Sequence, residues 1–115
     1  MIAWLIAFLV GQAIEIPIYA VALRRRFPRR GTLLLLSAAP TTLTHPVVWF
    51  VFPALFPVDR YWTMVLAAET FAVFAEAAIL RLFSVPRPAA LVASLTANAA
   101  SVTLGLLMRT VLGWP

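Results

Sequence analysis

Residues Tyr61–Phe83 have the sequence YWTMVLAAETFAVFAEAAILRLF. About 20 consecutive, mostly apolar residues are enough for a helix to cross the hydrocarbon core of a bilayer. This run is long enough to do so, and it predicts a membrane-spanning helix. Glu69 and Glu76 interrupt the apolar pattern, and their presence needs a physical explanation.

Similar apolar runs fill the rest of the chain on both sides of this stretch. The four predicted spans cover about 2–23, 32–56, 61–83 and 88–112. Their connectors are short, which favours antiparallel neighbours. We therefore expect residues 1–115 to form a single all-α domain, a polytopic membrane protein built as an antiparallel bundle of four transmembrane helices. Three prolines within the second span, Pro40, Pro46 and Pro53, predict a kinked helix there.

The composition supports this class of protein and excludes several others. Of the 115 residues, 63% are hydrophobic and only 11% are charged. Soluble domains average about 45–50% apolar and about 25% charged residues, and a chain this short keeps much of its surface exposed. An ordinary soluble domain and a disordered chain are therefore excluded. Because the chain has no cysteine, disulfide scaffolds and thiolate metal sites are excluded as well.

All nine basic residues are arginines, and most of them lie on one side of the predicted membrane. Five form the first connector: Arg24, Arg25, Arg26, Arg29 and Arg30. Arg81 and Arg87 flank the third connector on the same side. The positive-inside rule then predicts that this side is cytoplasmic and that both termini lie on the other side.

The same charges bear on partners and location. The basic connector is expected to contact anionic lipid headgroups, in addition to the surrounding bilayer. Nucleic acid is not expected as a partner, because no basic domain is present to bind it. Helical spans and an alanine- and arginine-rich composition favour a bacterial inner membrane. Tyr61, Trp62 and Trp114 fit an aromatic belt on the outer side.

The polar residues inside the predicted spans are the candidates for function. They are Gln12 and Glu15 in span one, His45 in span two, Glu69 and Glu76 in span three, and Asn98 in span four. Counting about 1.5 Å per helical residue from the cytoplasmic end predicts a ladder. Glu15 and Glu76 form its lowest level, Gln12 and Asn98 its middle, and His45 and Glu69 its top.

Insertion energies show why these acids are informative. An ionised side chain at the centre of a span costs about 2.5–3.5 kcal/mol, whereas a strongly apolar residue contributes about 0.3–0.6 kcal/mol. Two ionised glutamates therefore offset the whole apolar gain of span three. We expect both carboxyl groups to face the interior of the bundle, where they are protonated, paired or hydrated.

Several polar residues have a simpler explanation in packing. Ser94, Ser101 and Gly105 fall on one stripe of span four and are predicted to be small residues that allow close helix contact. The threonines of span two are predicted to bond carbonyls of their own helix near Pro46. Three glutamates and a histidine in one small bundle are harder to explain by packing alone.

Three functions remain open at this point. The favoured one is binding or translocation of protons or a small cation by a polar site formed from Gln12, Glu15, His45, Glu69, Glu76 and Asn98. The second is an intramembrane enzyme that uses these groups or a divalent metal ion, for which His45, Glu69 and Glu76 are the candidate ligands. The third is an accessory or structural subunit. A chain this small is expected to act as a homo-oligomer or as part of a larger membrane complex.

Overall fold

The computed structural model of the chain describes residues 1–113 and is all-helical over that range apart from short connectors. Four helical segments are long and apolar enough to cross a membrane, which confirms this part of the prediction. The longest single helices are α1 (Ile2–Leu23), α4 (Tyr61–Leu82) and α5 (Arg87–Leu112). Trp114, which the sequence assigned to an aromatic belt, lies outside the described residues.

The second apolar segment is composite. It begins with α2 (Arg30–Pro46), continues through a π-helical turn at Val47–Val51, and ends with the short α3 (Phe52–Leu55). In the π-helical turn the Phe52 N–H donates to the carbonyl of Val47, five residues earlier. Pro46 and Pro53 flank this turn, and neither can donate an intrahelical hydrogen bond. The altered turn therefore lies where the prolines remove donors from the regular ladder.

The helices pack around a ring. Helix α1 contacts α2 and α5, and α4 contacts the same two neighbours from the opposite side. A 3₁₀ turn at Val58–Arg60 leads into α4. The molecule is elongated, with principal extents of 44 × 24 × 21 Å. Packing of this kind leaves a central space that all four helices border.

The two ends of the ring are filled differently. At the end that carries the first and third connectors, large side chains close the centre: Tyr19, Leu23, Leu36, Leu80 and Val85 are all at most 2% exposed. Small residues of α5, including Ala90, Ala93 and Ala97, complete this core. Many large apolar side chains point outward instead; examples are Leu9, Leu35, Leu66, Phe74 and Val92. The buried core is therefore confined to one half of the bundle.

Candidate functional site

A cavity of about 590 Å³ occupies the other half of the bundle. Helices α1, α2, α4 and α5 all contribute to its lining. Glu15, Thr41, Thr44, Glu76 and Asn98 form a polar base next to the packed core. Tyr61 and Arg109, at the start of α4 and near the end of α5, line the opposite end. The cavity thus runs from buried carboxyl groups to an exposed arginine.

Glu76 of α4 joins all four helices at the base of this cavity. Its side chain is only 1% exposed. Tyr19 of α1 donates a hydrogen bond to Oε2, and so does Asn98 of α5, whose Nδ2 lies 2.9 Å away. Thr44 of α2 donates to Oε1 at 2.6 Å. Because both oxygens accept hydrogen bonds from the protein, Glu76 is held in place by its neighbours.

Glu15 of α1 is nearly as buried, at 4% exposure, but has fewer partners. Thr41 of α2 donates a hydrogen bond to its Oε2. The Ser101 hydroxyl of α5 also faces this carboxyl group, and it donates to the backbone carbonyl of Asn98 at 3.2 Å. Glu15 lines the cavity, so its carboxyl group can meet a ligand there.

Helix α2 presents the donors for both carboxyl groups. Ser37, Thr41 and Thr44 are spaced four and three residues apart, so they share one helix face, and all three are buried. The prediction that the threonines bond their own helix holds for Thr42, whose hydroxyl donates to the carbonyl of Ala38. Thr44 does so too, but its hydroxyl also lies within bonding distance of Glu76. The spacing of these three residues in the sequence is enough to predict a polar face on α2, but it does not predict that the face contacts the two carboxyl groups.

Asn98 belongs to the same group as Glu76 and does not form a separate level of the ladder. Its Nδ2 also lies 2.9 Å from the backbone carbonyl of Ser94. Ser94 in turn donates to the carbonyl of Val73 at 2.7 Å and so ties α5 to α4. The side-chain oxygen of Asn98 receives no hydrogen bond from the described residues.

Glu69 and His45 line the cavity further from its base. No hydrogen bond to another described side chain fixes Glu69. The His45 ring lies among aromatic rings, with centroid distances of 5.5 Å to Phe8, 6.0 Å to Trp49 and 6.2 Å to Trp4. Its Nε2 is buried without a hydrogen-bond partner. The structure therefore separates His45 from the carboxyl cluster and places it in an aromatic group.

Gln12 is a predicted site residue that does not line the cavity. Its Nε2 donates to the Thr42 hydroxyl at 2.8 Å and to the Ala38 carbonyl at 3.2 Å. It is buried between α1 and α2 and does not belong to the cavity lining. Gln12 therefore connects two helices, whereas Glu15, one turn along the same helix, faces the cavity.

The far end of the cavity is bordered by a cation–aromatic pair. The Arg109 guanidinium lies 4.4 Å from the centre of the Tyr61 ring and donates a hydrogen bond to the Tyr61 hydroxyl. A cation over an aromatic face is stabilised by the ring quadrupole. This contact joins the start of α4 to the end of α5 across the opening.

The predicted metal ligands do not form a coordination group. Among residues 1–113, no three side chains from histidine, aspartate and glutamate are arranged to hold a metal ion. His45 is surrounded by aromatic rings, and Glu76 has its oxygens occupied by protein donors. The donor set present in this cavity suits hydrogen bonding better than metal coordination.

Gly105 corrects the packing prediction for α5. A Cβ atom added to Gly105 would meet no other atom within 4 Å, so no close helix contact requires a glycine there. The same is true of Gly11 in α1. Both residues line the cavity, and Gly105 is exposed. A side chain at either position would therefore extend into open space along the cavity.

Known proteins add no information about this arrangement. Comparison with protein families, with curated proteins and with solved structures found no match to the chain.

Proposed function

We propose that this chain is an integral membrane protein that binds and translocates protons or a small cation through the central cavity. The observation that carries the proposal is the buried carboxyl group of Glu15, which lines the cavity and has two hydroxyl groups, of Thr41 and Ser101, as its protein neighbours. An ionisable group inside a membrane helix is costly, and such groups commonly mark ion or proton pathways.

The proposed membrane arrangement is an antiparallel bundle whose second segment is kinked at its prolines. Outward-facing leucine, valine and phenylalanine side chains would contact lipid tails. The arginine-rich connectors would lie in the cytoplasm, with both termini on the outer side of a bacterial inner membrane. In this orientation the cavity faces outward, and the packed core separates its base from the cytoplasm.

Glu15 and Glu69 are the proposed ion-binding groups, and Glu76 is the proposed anchor. Glu76 accepts hydrogen bonds from three other helices, so its oxygens are already engaged. Glu69 lies between Glu15 and the opening, where a cation entering the cavity would meet it first. Passage toward the cytoplasm would require the Tyr19–Glu76 contact to open, because it lies between the cavity and the core.

Proton flux into proteoliposomes tests this proposal directly. The purified protein is reconstituted with an internal pH-sensitive dye, and a potassium gradient with valinomycin drives proton entry. We expect wild-type protein to carry flux above that of protein-free vesicles and Glu15→Gln to reduce it at least tenfold. Asp59→Asn, in the exposed connector before α4, is the matched control and should leave flux unchanged. Sodium and potassium entry are then measured separately, without valinomycin and with an internal dye selective for each ion.

Two outcomes would contradict the proposal. Wild-type vesicles that pass neither protons nor these cations would remove the transport function. Equal flux through wild-type protein and a folded Glu15→Gln variant would remove Glu15 from the pathway.

The basic connector supports a second, separate proposal about lipid. Arg24, Arg25, Arg26, Arg29 and Arg30 are all exposed, as are Arg81 and Arg87 at the same end. Clusters of this kind beside a membrane helix attract anionic headgroups, with a binding free energy of about 1 kcal/mol per arginine. We expect phosphatidylglycerol to copurify with the protein and to be lost when the five connector arginines are replaced by glutamine.

We also propose that the chain self-associates or joins a larger membrane complex. The mass of the purified protein in detergent measures its oligomeric state.

A further inference from the structure

The polar groups at the base of the cavity are unevenly divided between donors and acceptors. The Thr41 hydroxyl is directed to Glu15, and the Thr44 hydroxyl to Glu76. Asn98 uses its Nδ2 on Glu76 and on the Ser94 carbonyl. Ser101, whose hydroxyl also faces Glu15, donates to the backbone carbonyl of Asn98. The atoms with remaining hydrogen-bonding capacity are therefore mainly acceptors: the carboxyl group of Glu15, the side-chain oxygen of Asn98, and the carboxyl group of Glu69 further out. A ligand that satisfies them must supply hydrogen-bond donors.

The charges of the lining residues indicate the charge that the ligand should carry. Glu15, Glu69 and Glu76 all line one cavity, so their carboxylates repel each other when ionised, and a cation between them relieves this repulsion. Arg109 is the basic residue in the lining, and it is held on the Tyr61 ring at the far end. An alkylammonium group carries a positive charge and three donors, with no acceptor. It therefore complements the base in both respects.

The size and walls of the cavity indicate what is attached to that group. A volume of about 590 Å³ lies within the range of about 300–1,000 Å³ that is usual for small-molecule sites. The walls above the base are mainly apolar, with Val10, Ile14, Val65 and Leu106 among them. Gly11 and Gly105 also line the cavity, and they widen it because they have no side chains. No contact with another helix requires a glycine at either position. A bare ion would leave most of this apolar surface without a partner.

We infer that the cavity binds a primary amine with an apolar body. The ammonium group would bond to the carboxyl group of Glu15 and to the side-chain oxygen of Asn98. The apolar body would lie along the walls toward Trp49 and Tyr61, near the opening. This inference rests on the proposed function, since it identifies the cation that the same site takes.

Calorimetric titration in lipid nanodiscs tests the inference with three probes of similar apolar character. Hexylammonium has both the charge and the donors, tetraethylammonium has the charge without N–H donors, and hexanol is neutral. We expect saturable binding of hexylammonium to wild-type protein, with tetraethylammonium at least tenfold weaker and hexanol not saturable. Glu15→Gln should weaken hexylammonium binding at least tenfold, whereas Asp59→Asn should not change it. Nonspecific partition into lipid is the same for all variants and is subtracted.

A second variant keeps the test decisive if Glu15→Gln does not fold. Gly105→Leu places a side chain into the cavity from α5 and should also abolish hexylammonium binding. Equal affinity for hexylammonium and tetraethylammonium would overturn the inference, as would binding that survives in Glu15→Gln or in Gly105→Leu. Absence of any amine binding would overturn it too. If proton or metal-cation flux still depended on Glu15 in that last case, the proposed function would stand; if flux were also absent, both would fail.

Discussion

At the scale of single residues, Glu15 and Glu76 have the same chemistry and different surroundings. Glu76 accepts hydrogen bonds from Tyr19, Thr44 and Asn98, so that one side chain connects its helix to three others. Glu15 accepts from Thr41, has the Ser101 hydroxyl as its other protein neighbour, and lines the cavity. A carboxyl group that the protein has saturated is suited to holding helices together. One that it has left incomplete is suited to meeting a ligand.

Replacing Glu76 by glutamine should therefore lower stability. The substitution exchanges the acceptor oxygen that faces Thr44 for an NH₂ group, so Thr44 loses its acceptor on α4 and keeps only the Pro40 carbonyl of its own helix. Loss of a buried hydrogen-bond partner costs about 1–3 kcal/mol. We expect Glu76→Gln to lower the unfolding midpoint, measured from tryptophan fluorescence in nanodiscs during heating. Glu69→Gln is the matched control, and with no protein partner to lose it should change stability by less than about 0.5 kcal/mol. Equal destabilisation by the two substitutions would mean that the hydrogen bonds to Glu76 do not add to the free energy of unfolding.

At the scale of helices, α2 supplies the hydroxyl groups for both acids from one face. Thr41 and Thr44 are three residues apart, and each donates to a carboxyl group on a different helix. This face connects α2 to α1 through Glu15 and to α4 through Glu76. The position of α2 thus fixes both ends of the polar base.

Thr41→Val and Glu15→Gln should be coupled in a double-mutant cycle. Valine keeps the size of threonine and removes the hydroxyl that donates to Glu15. Once Glu15 is replaced, that hydroxyl has lost its charged partner, so Thr41→Val should then cost less. Residues in direct contact typically show coupling of about 0.5–3 kcal/mol. The free energies of unfolding of the four proteins give the coupling. Thr96→Val supplies the comparison cycle and should give a value near zero, because the exposed Thr96 hydroxyl donates to the Val92 carbonyl of its own helix.

Helix α5 offers a test of the cavity that leaves the acids untouched. Glycine within a helix is less favourable than alanine by about 0.5–1 kcal/mol, and a Cβ on Gly105 would meet no neighbour within 4 Å. Gly105→Ala should therefore raise the unfolding midpoint while proton flux is retained. Gly105→Leu should fold as well but reduce flux, because its side chain occupies the cavity. If Gly105→Ala destabilised the protein, the space beside Gly105 would not be open.

Some of this arrangement follows from the sequence, and the reasons for the remainder are physical. Length and hydropathy are enough to predict four helices, because each apolar run is bounded by prolines, arginines or a short polar connector. Counting from the basic connector also predicted a common depth for Glu15 and Glu76, which share the cavity base. The sequence did not predict that Gln12 points away from the cavity. Gln12 and Glu15 are three residues apart, so their directions around α1 differ by only about a sixth of a turn, and the pattern assigned them to one face. The role of Tyr19 was also hidden, because its hydroxyl finds Glu76 only after α1 and α4 have been brought together around the ring.

At the scale of the whole molecule, the packed core and the cavity divide the bundle into two unlike halves. The packed half adjoins the arginine-rich first connector and the third connector, which Arg81 and Arg87 flank, and the open half adjoins the connector that contains Asp59. If the positive-inside rule applies, the packed half is cytoplasmic and acts as the barrier to leakage. The orientation of the chain therefore decides from which side a cation would enter.

Cysteine labelling in whole cells determines that orientation. The chain has no cysteine of its own, so one introduced residue provides a unique label site. Asp59→Cys and Ser84→Cys place it in exposed positions in connectors at opposite ends of the bundle. A membrane-impermeant maleimide added to intact bacteria with a permeabilised outer membrane should label Asp59→Cys at once and should label Ser84→Cys only after the inner membrane is disrupted.

The reverse pattern would place the arginines outside and make the cavity an opening toward the cytoplasm. Equal labelling of both sites in intact cells would show that the chain does not take one orientation. Either result would require the direction of transport to be reassigned, whereas the expected pattern makes entry from the outer side, through Glu69 to Glu15, the route to examine.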